Sequence, residues 1–453
     1  MQALTADADQ PLDQQGIDSH APIPGYFNSP WPAECGGPRR QKAPRSPGLA
    51  MASGEKLSQI SRDNGEWNVM AIQRAPGEIF LQFNNHVSSA EKYGGIERID
   101  PVTLQPLARS PRLPSGGHTW CGGLVAHENG FLYFNNGNRC FKLDPDCNVV
   151  AATELPQDSA YNSLLIMADG RLVMKNIERD ADRVSSFVVL DPERLDQVGP
   201  EVAIPEHSMG RIAMDTTDAG QTVYVPGSHH FYRYRYEAGR LLRDGDWTPL
   251  YRTLRDEEQS FSWDSCIAGG GCWLLDNGDN EANAAIFSTR PFGLNLPPRG
   301  SVFNGLASSP QKLFRIALND ARDIDVFEPF GIPRGSIFSP PAFDPVRNIA
   351  VAFDTGNGQI GAFRYEAGKF TALWRRPCRV SMQMVIFLDS AEIVVNDFRN
   401  GFDHIVVFDI ETGEERGCVA TASRTANGMF LSTGWERDVI YCSIGTVARV
   451  FVE

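Results

Sequence analysis

Six of the chain's eight histidines (His86, His118, His207, His229, His230 and His404) fall in polar segments that the repeat pattern below brings to one end of the molecule. Only His127 and His20 do not. Histidine is the side chain most used for proton transfer near neutral pH and for metal ligation. Tyr161, Arg211 and Asp264 map to the same end, where they supply a proton donor, an anion clamp and a base. Polar loops also enrich histidine, and Asp264 beside Trp263 serves equally well as a capped turn residue. "DNGDNEAN" (276–283) gathers the hard oxygen ligands that Ca²⁺ prefers, with Asp276 and Asp279 as its candidates. It lacks the spacing of an EF-hand loop, and Asn, Asp and Gly also simply make turns. The chain has no GxSxG elbow, no HExxH, no Walker loop and no GxGxxG after a strand.

These residues need elements to position them, and the elements are strands. From residue 54 onward, short apolar or alternating runs rich in Val, Ile, Phe and Tyr are cut by Gly, Asp, Asn and Pro turns. In "SHHFYRYRY" (228–236) the alternation is strand physics, with Arg233 and Arg235 on one face and Tyr232, Tyr234 and Tyr236 on the other. A unit of roughly 40–50 residues repeats: strand, tight turn, strand, variable loop, strand, turn, strand. The first turn recurs as "APGE", "HENG", "ADG", "DAGQ", "AGGG", "DPVRN", "LDSAE" and "GWERD". The later turn recurs as "DPVT", "DPDC", "DPER", "YEAG", "LNDA", "YEAG" and "DIETG". Pro presets φ, Gly supplies positive φ, and Asp caps its own turn.

Eight first turns against seven later ones leave the last unit one strand short. "GTVARVFVE" (445–453) ends the chain where other units turn into a fourth strand. "EKLSQISRD" (55–63) stands before the first inner strand with no unit of its own, so it is expected to pair with 446–452. The fold class is therefore all-β: an eight-bladed β-propeller of four-stranded antiparallel blades, closed by the N-terminal strand. Residues 1–53, rich in Pro and Gly without a period, read as an extended arm that packs over residues 54–453 or stays mobile. An insertion at about 282–311 in the fifth blade reads as a lid.

In such a fold the inner strands begin beside the central channel, and the loops joining second and third strands share that face. This gives catalytic candidates His118, Tyr161, Asp264 and His230. Substrate-binding candidates are Trp120, Asn162, Arg211, Trp263, Gln383, His86 and His404.

A net charge of −14 and a pI near 5.1 argue against nucleic acid. No stretch is long and apolar enough to span a bilayer, and the N-terminus has neither a basic nor an apolar signal region. A cytoplasmic location is expected. Nine cysteines without a CxxC pair read as free thiols; Cys140/Cys147 and Cys266/Cys272 would bridge only if their strands brought them together.

The blade count and turns such as "DIETGEERG" and "FDTGNGQIGAF" resemble the quinoprotein dehydrogenase-like class of propellers over roughly residues 54–453. In that class the resemblance implies pyrroloquinoline quinone and Ca²⁺ on the axis. This chain lacks the vicinal Cys-Cys and the repeated Trp-docking motif, so the resemblance extends to fold and not to cofactor. The expected function is acid–base chemistry of lyase, hydrolase or isomerase type on a small polar or aromatic substrate. It expects no cofactor, with a divalent metal (Ca or Zn) as the alternative. A noncatalytic protein-binding scaffold is the alternative, and a quinone-dependent dehydrogenase the third reading.

Overall fold

The computed structural model describes residues 22–85, 89–118, 121–252, 259–280, 305–381, 383–424 and 428–453. His86, Trp120 and the 282–304 part of the expected lid lie outside these residues. Apart from one short 3-10 turn at Glu34–Gly36, the described secondary structure is all β.

Six four-stranded antiparallel sheets follow one another, each with its strands in sequence order, and a seventh sheet holds seven strands. The four-stranded units span 121–154 (second), 161–203 (third), 213–243 (fourth), 265–327 (fifth), 342–377 (sixth) and 385–420 (seventh). First strands of successive units lie against one another, so they are the inner strands. Apolar side chains fill the spaces between sheets. Leu165, Val173, Phe187 and Val189 of the third unit meet Ile212, Val223, Val225 and Tyr234 of the fourth. The turns behave as their residues dictate. Asp100, Asp144, Asp191 and Asp409 each accept backbone N–H groups two or three residues on, at 2.7–3.3 Å. Gly130 and Gly170 close two first turns at φ of 89° and 82°.

The seven-stranded sheet joins the two chain ends. Leu57–Gln73 has two partners: residues 57–63 pair antiparallel with 446–452, and residues 67–73 pair with Ile79–Asn84. The register runs from Leu57 opposite Val452 to Asp63 opposite Thr446, the pairing expected from the truncated last unit. Cys266 and Cys272 sit on opposite faces of one sheet and in different apolar clusters, and Cys140, on a strand, and Cys147, in the turn after it, also fall in different clusters. The eight cysteines whose side chains are described are free thiols.

Residues 22–50 form a belt along the inner strands. Phe27 N–H donates to Ala126, Gln73 N–H to Trp31, Met214 N–H to Pro38, Ile267 N–H to Arg39 and Ile386 N–H to Lys42, all at 2.8–2.9 Å. The Tyr26 hydroxyl accepts from Ile166 N–H, and Lys42 Nζ donates to the Pro341 carbonyl at 2.8 Å. Inner strands have one unpaired edge, whose polar groups need partners once water is excluded. Along the belt the contacts run to the third, second and first units (Tyr26, Phe27, Trp31), then to the fourth, fifth and seventh (Pro38, Arg39, Lys42), with Lys42 Nζ reaching Pro341 just ahead of the sixth.

An edge strand aims alternate amides at its only partner. Of Gln59→Pro and Ile60→Pro, one is therefore expected to cost about 3 kcal/mol. The other should cost well under 1 kcal/mol. Urea unfolding of the two variants checks this, and equal small losses would mean that 57–63 does not carry the pairing.

Candidate functional site

The sequence-based candidates do not form one site. Arg211 and Asp264, each just ahead of an inner strand, do come together: the Arg211 amide donates to Asp264 Oδ1 at 2.7 Å. The groups completing this cluster come from the belt. Arg40 Nη2 lies 2.7 Å from Glu34 and 3.0 Å from Asp264, and Arg211 Nε lies 3.0 Å from Glu34. Gln383 Nε2 donates to Glu34 at 3.3 Å and its oxygen accepts from the Cys35 thiol. Burial opposes the Arg40 charge, yet Cys35, Glu34 and Asp264 outweigh it and raise the pKa above the ordinary value. Burial also pushes the Cys35 thiol up to about 12, against the pull of Arg40. Two carboxylates and two guanidiniums thus compensate one another, with Asp264 at 0% and Arg211 at 1% exposure. Lys175 lies near them, its amine pulled down to about 7 by burial and donating to the Ser208 and Asn176 carbonyls.

The other candidates lie elsewhere. Tyr161 is fully buried, and its hydroxyl accepts from the Gln157 amide rather than joining Arg211 and Asp264. Burial raises its pKa far above the ordinary value. Asn162 ties the third unit to the fourth by donating to the Met209 carbonyl at 2.8 Å. Trp263 is buried against Phe261. His118 pairs with exposed Asp158 at 3.1 Å, and His404 contacts the Phe402 carbonyl at 3.1 Å. Asp279 forms an ion pair with Arg179 at 2.8 Å, while Asp276 accepts from the Lys312 amide at 2.5 Å. Among the described residues no group of three or more His, Cys, Asp or Glu could hold a metal ion.

Of the two catalytic-candidate histidines with a carboxylate partner, His230 has the sheltered one, since Asp158 beside His118 is exposed. Glu206, in the loop leading into the fourth unit, accepts from His230 Nδ1 and from the His229 and His230 amides at 2.7 and 3.2 Å. The Ser228 hydroxyl adds a further contact at 3.1 Å. Burial would raise the Glu206 carboxyl, but donation from His230, both amides and Tyr232 outweighs it and holds the group below its usual range. Neighbouring His207 is held below its usual value, chiefly by burial. Both Glu206 and His230 keep solvent contact, with side chains 15% and 34% exposed. Glu206 escaped the sequence reading because "PEHS" (205–208) is not adjacent in sequence to "SHH" (228–230). Glu34, Cys35 and Arg40 escaped it because the Pro/Gly-rich stretch shows no strand period.

Arg40→Ala leaves two buried carboxylates sharing the single Arg211 guanidinium and is expected to lower unfolding free energy by about 3 kcal/mol, read by urea titration. A pH effect follows from two other buried acids. Burial pushes Asp276 and Asp403 up to about 7, although the Lys312 amide bonds the first, and Tyr441 and Asn396 bond the second. A carboxyl whose folded pKa exceeds its unfolded value, about 4, binds protons more tightly when folded. Its stabilising contribution is complete below about pH 4 and is lost as pH rises towards 7. Asp276→Asn and Asp403→Asn should each flatten the fall in urea midpoint between about pH 5 and about pH 8. An unchanged slope in both variants would contradict this assignment.

No protein-family model and no curated protein matches the chain. Among solved structures it is similar to the Dos1 propeller, with TM-score 0.53 and 10% identity over 88% of this chain and 95% of that one. It is also similar to a europium-containing methanol dehydrogenase, with TM-score 0.53 and 9% identity over 86% of this chain and 93% of that one. Identities this low establish the fold alone. The chain is a β-propeller by fold, resembling the quinoprotein class in architecture and in nothing finer.

Proposed function

We propose that this protein is an enzyme performing acid–base chemistry on a small polar organic substrate at the Glu206–His230 pair, between the third and fourth units, rather than on the channel axis. The observation that supports it is the one-third-exposed His230 imidazole, engaged at Nδ1 by a carboxylate that is itself held by two backbone amides. A carboxylate at Nδ1 fixes ring orientation and stabilises the imidazolium, leaving Nε2 to exchange a proton with substrate. His207, kept neutral by burial, is a second base beside it. Ser228 is 2% exposed and acts as a support for Glu206, not as a nucleophile. The reaction class is lyase, hydrolase or isomerase, in which protons move without a redox cofactor.

The same reading takes the ring as eight-bladed. The seven-stranded sheet divides at Asn64–Glu66 into a first blade starting at Trp67 and a last blade whose outer strand is 57–63. The scaffold alternative expects a concentrated apolar face. The exposed large apolar side chains instead include Val102, Val149, Leu242, Val326 and Val346, which belong to different units.

The test is a turnover screen of the full chain against small esters, lactones, hydroxy acids and epimerisable sugars, followed by NMR. At least one class should be converted. His230→Ala should then reduce kcat about 10²–10⁴-fold, and Glu206→Gln by a smaller factor with a shifted pH profile. A wild-type protein inert to all four classes, or turnover indifferent to His230→Ala, would count against the proposal.

A further inference from the structure

A second feature stands apart from the Glu206–His230 pair. A cavity of about 330 Å³ opens between two limbs of the belt, near Pro22–Pro24 and Ala43–Ser46. It reaches Met214 and Thr216 of the fourth unit and Leu388 and Asp389 of the seventh. Thr216 precedes the turn at the opposite end of the fourth sheet from the His230 loop, so the two features occupy different ends of that sheet. The space would take roughly ten waters or one compact organic molecule.

The lining gives that molecule a chemistry. Pro24, Pro38, Pro44, Met214 and Leu388 provide apolar wall, and proline contributes no N–H. Hydrogen-bond donors are therefore concentrated in side chains, chiefly Arg39 and Arg45. Arg45 is positioned by donating to Asn28 Oδ1 at 3.0 Å and to the Ser29 carbonyl. Burial lowers its pKa from the ordinary value. Arg39 is anchored on Asp215 at 2.6 Å with its side chain still 40% exposed. Arg40 also borders the cavity but is engaged by Glu34 and Asp264. The one acidic side chain in the lining, Asp389, is solvent-exposed. The cavity floor includes Cys35, held at φ 57°, a left-handed backbone uncommon for a side chain with a Cβ.

We propose that this cavity binds a small organic carboxylate with a flat apolar body, its carboxylate forked by Arg45 and its body against the proline, Met214 and Leu388 surfaces. Guanidinium geometry suits a carboxylate taken in bidentate fashion. Rigid proline walls lose little entropy on holding a planar group. Binding there is independent of chemistry at His230.

Phenylacetate is a suitable probe, with 2-phenylethylamine as its cationic counterpart, titrated into the full chain by calorimetry and ligand-observed NMR. Phenylacetate should bind with millimolar or tighter Kd, at least tenfold better than the amine. Arg45→Gln should weaken it at least tenfold. Arg45→Lys should restore only part of the loss, because charge returns without the fork. Leu388→Trp, which fills the cavity without touching a charge, should also weaken it at least tenfold at unchanged Tm. Absence of phenylacetate binding up to about 5 mM would overturn the proposal. So would equal binding of the amine, or binding that survives both Arg45→Gln and Leu388→Trp.

Discussion

The inner edge of each sheet imposes the constraint on which the rest of this structure depends. A strand at a sheet edge carries a row of N–H and C=O groups with no partner, and in a dry interior each unpaired group costs about 1–3 kcal/mol. A propeller gathers all such edges around one axis, where water access is narrowest. Here the polypeptide itself supplies the acceptors: the carbonyls of Trp31, Pro38, Arg39 and Lys42 receive amides of the first, fourth, fifth and seventh units. The belt is helped by its composition, because proline-rich backbone stays extended and keeps its carbonyls outward-facing. The left-handed residues Cys35, Arg40 and Lys42 then supply the bends an extended chain needs to follow a circle.

Charge on the belt follows from the same constraint. A segment laid along the axis buries whatever side chains point inward, and a buried charge persists only when paired. Glu34 and Arg40 answer Arg211 and Asp264, so four charges that would be intolerable singly become one compensated cluster. Lys42 follows a different route: burial lowers its pKa, and carbonyl acceptors hold the amine. The Arg211–Asp264 contact therefore belongs to the fastening of the belt, and both side chains are buried by it.

Strand pairing at the chain ends was legible in the sequence because it rests on counting. Turn residues such as Asp100, Asp144 and Asp409 announce themselves, and a missing fourth strand after Thr446 requires a partner from somewhere. Positions of single side chains were less legible. Tyr161 and Asn162 both begin an inner strand, yet Tyr161 packs with Tyr133 and Cys140 of the second unit while Asn162 donates to the Met209 carbonyl ahead of the fourth. The belt was illegible for another reason. Its backbone bonds are made with strands up to about 340 residues away, so no local period records them.

Exposure separates the two polar clusters in a way that charge alone does not. Both contain carboxylates engaged by nitrogen donors. On the axis, Asp264 is inaccessible, enclosed by the Arg40 and Arg211 guanidiniums. At Glu206 the donors on one side are fixed amides, while the other partner is an imidazole that remains one third exposed. An acid–base catalyst needs this asymmetry: rigid support behind the titrating ring, and an open nitrogen in front of it. The fold produces it where a loop between strands meets the loop leading in from the preceding unit, since loops can present side chains to solvent while the sheets behind them stay packed. The belt buries its charges along the inner strands, whereas the loop between the second and third strands of the fourth unit keeps His230 open to solvent.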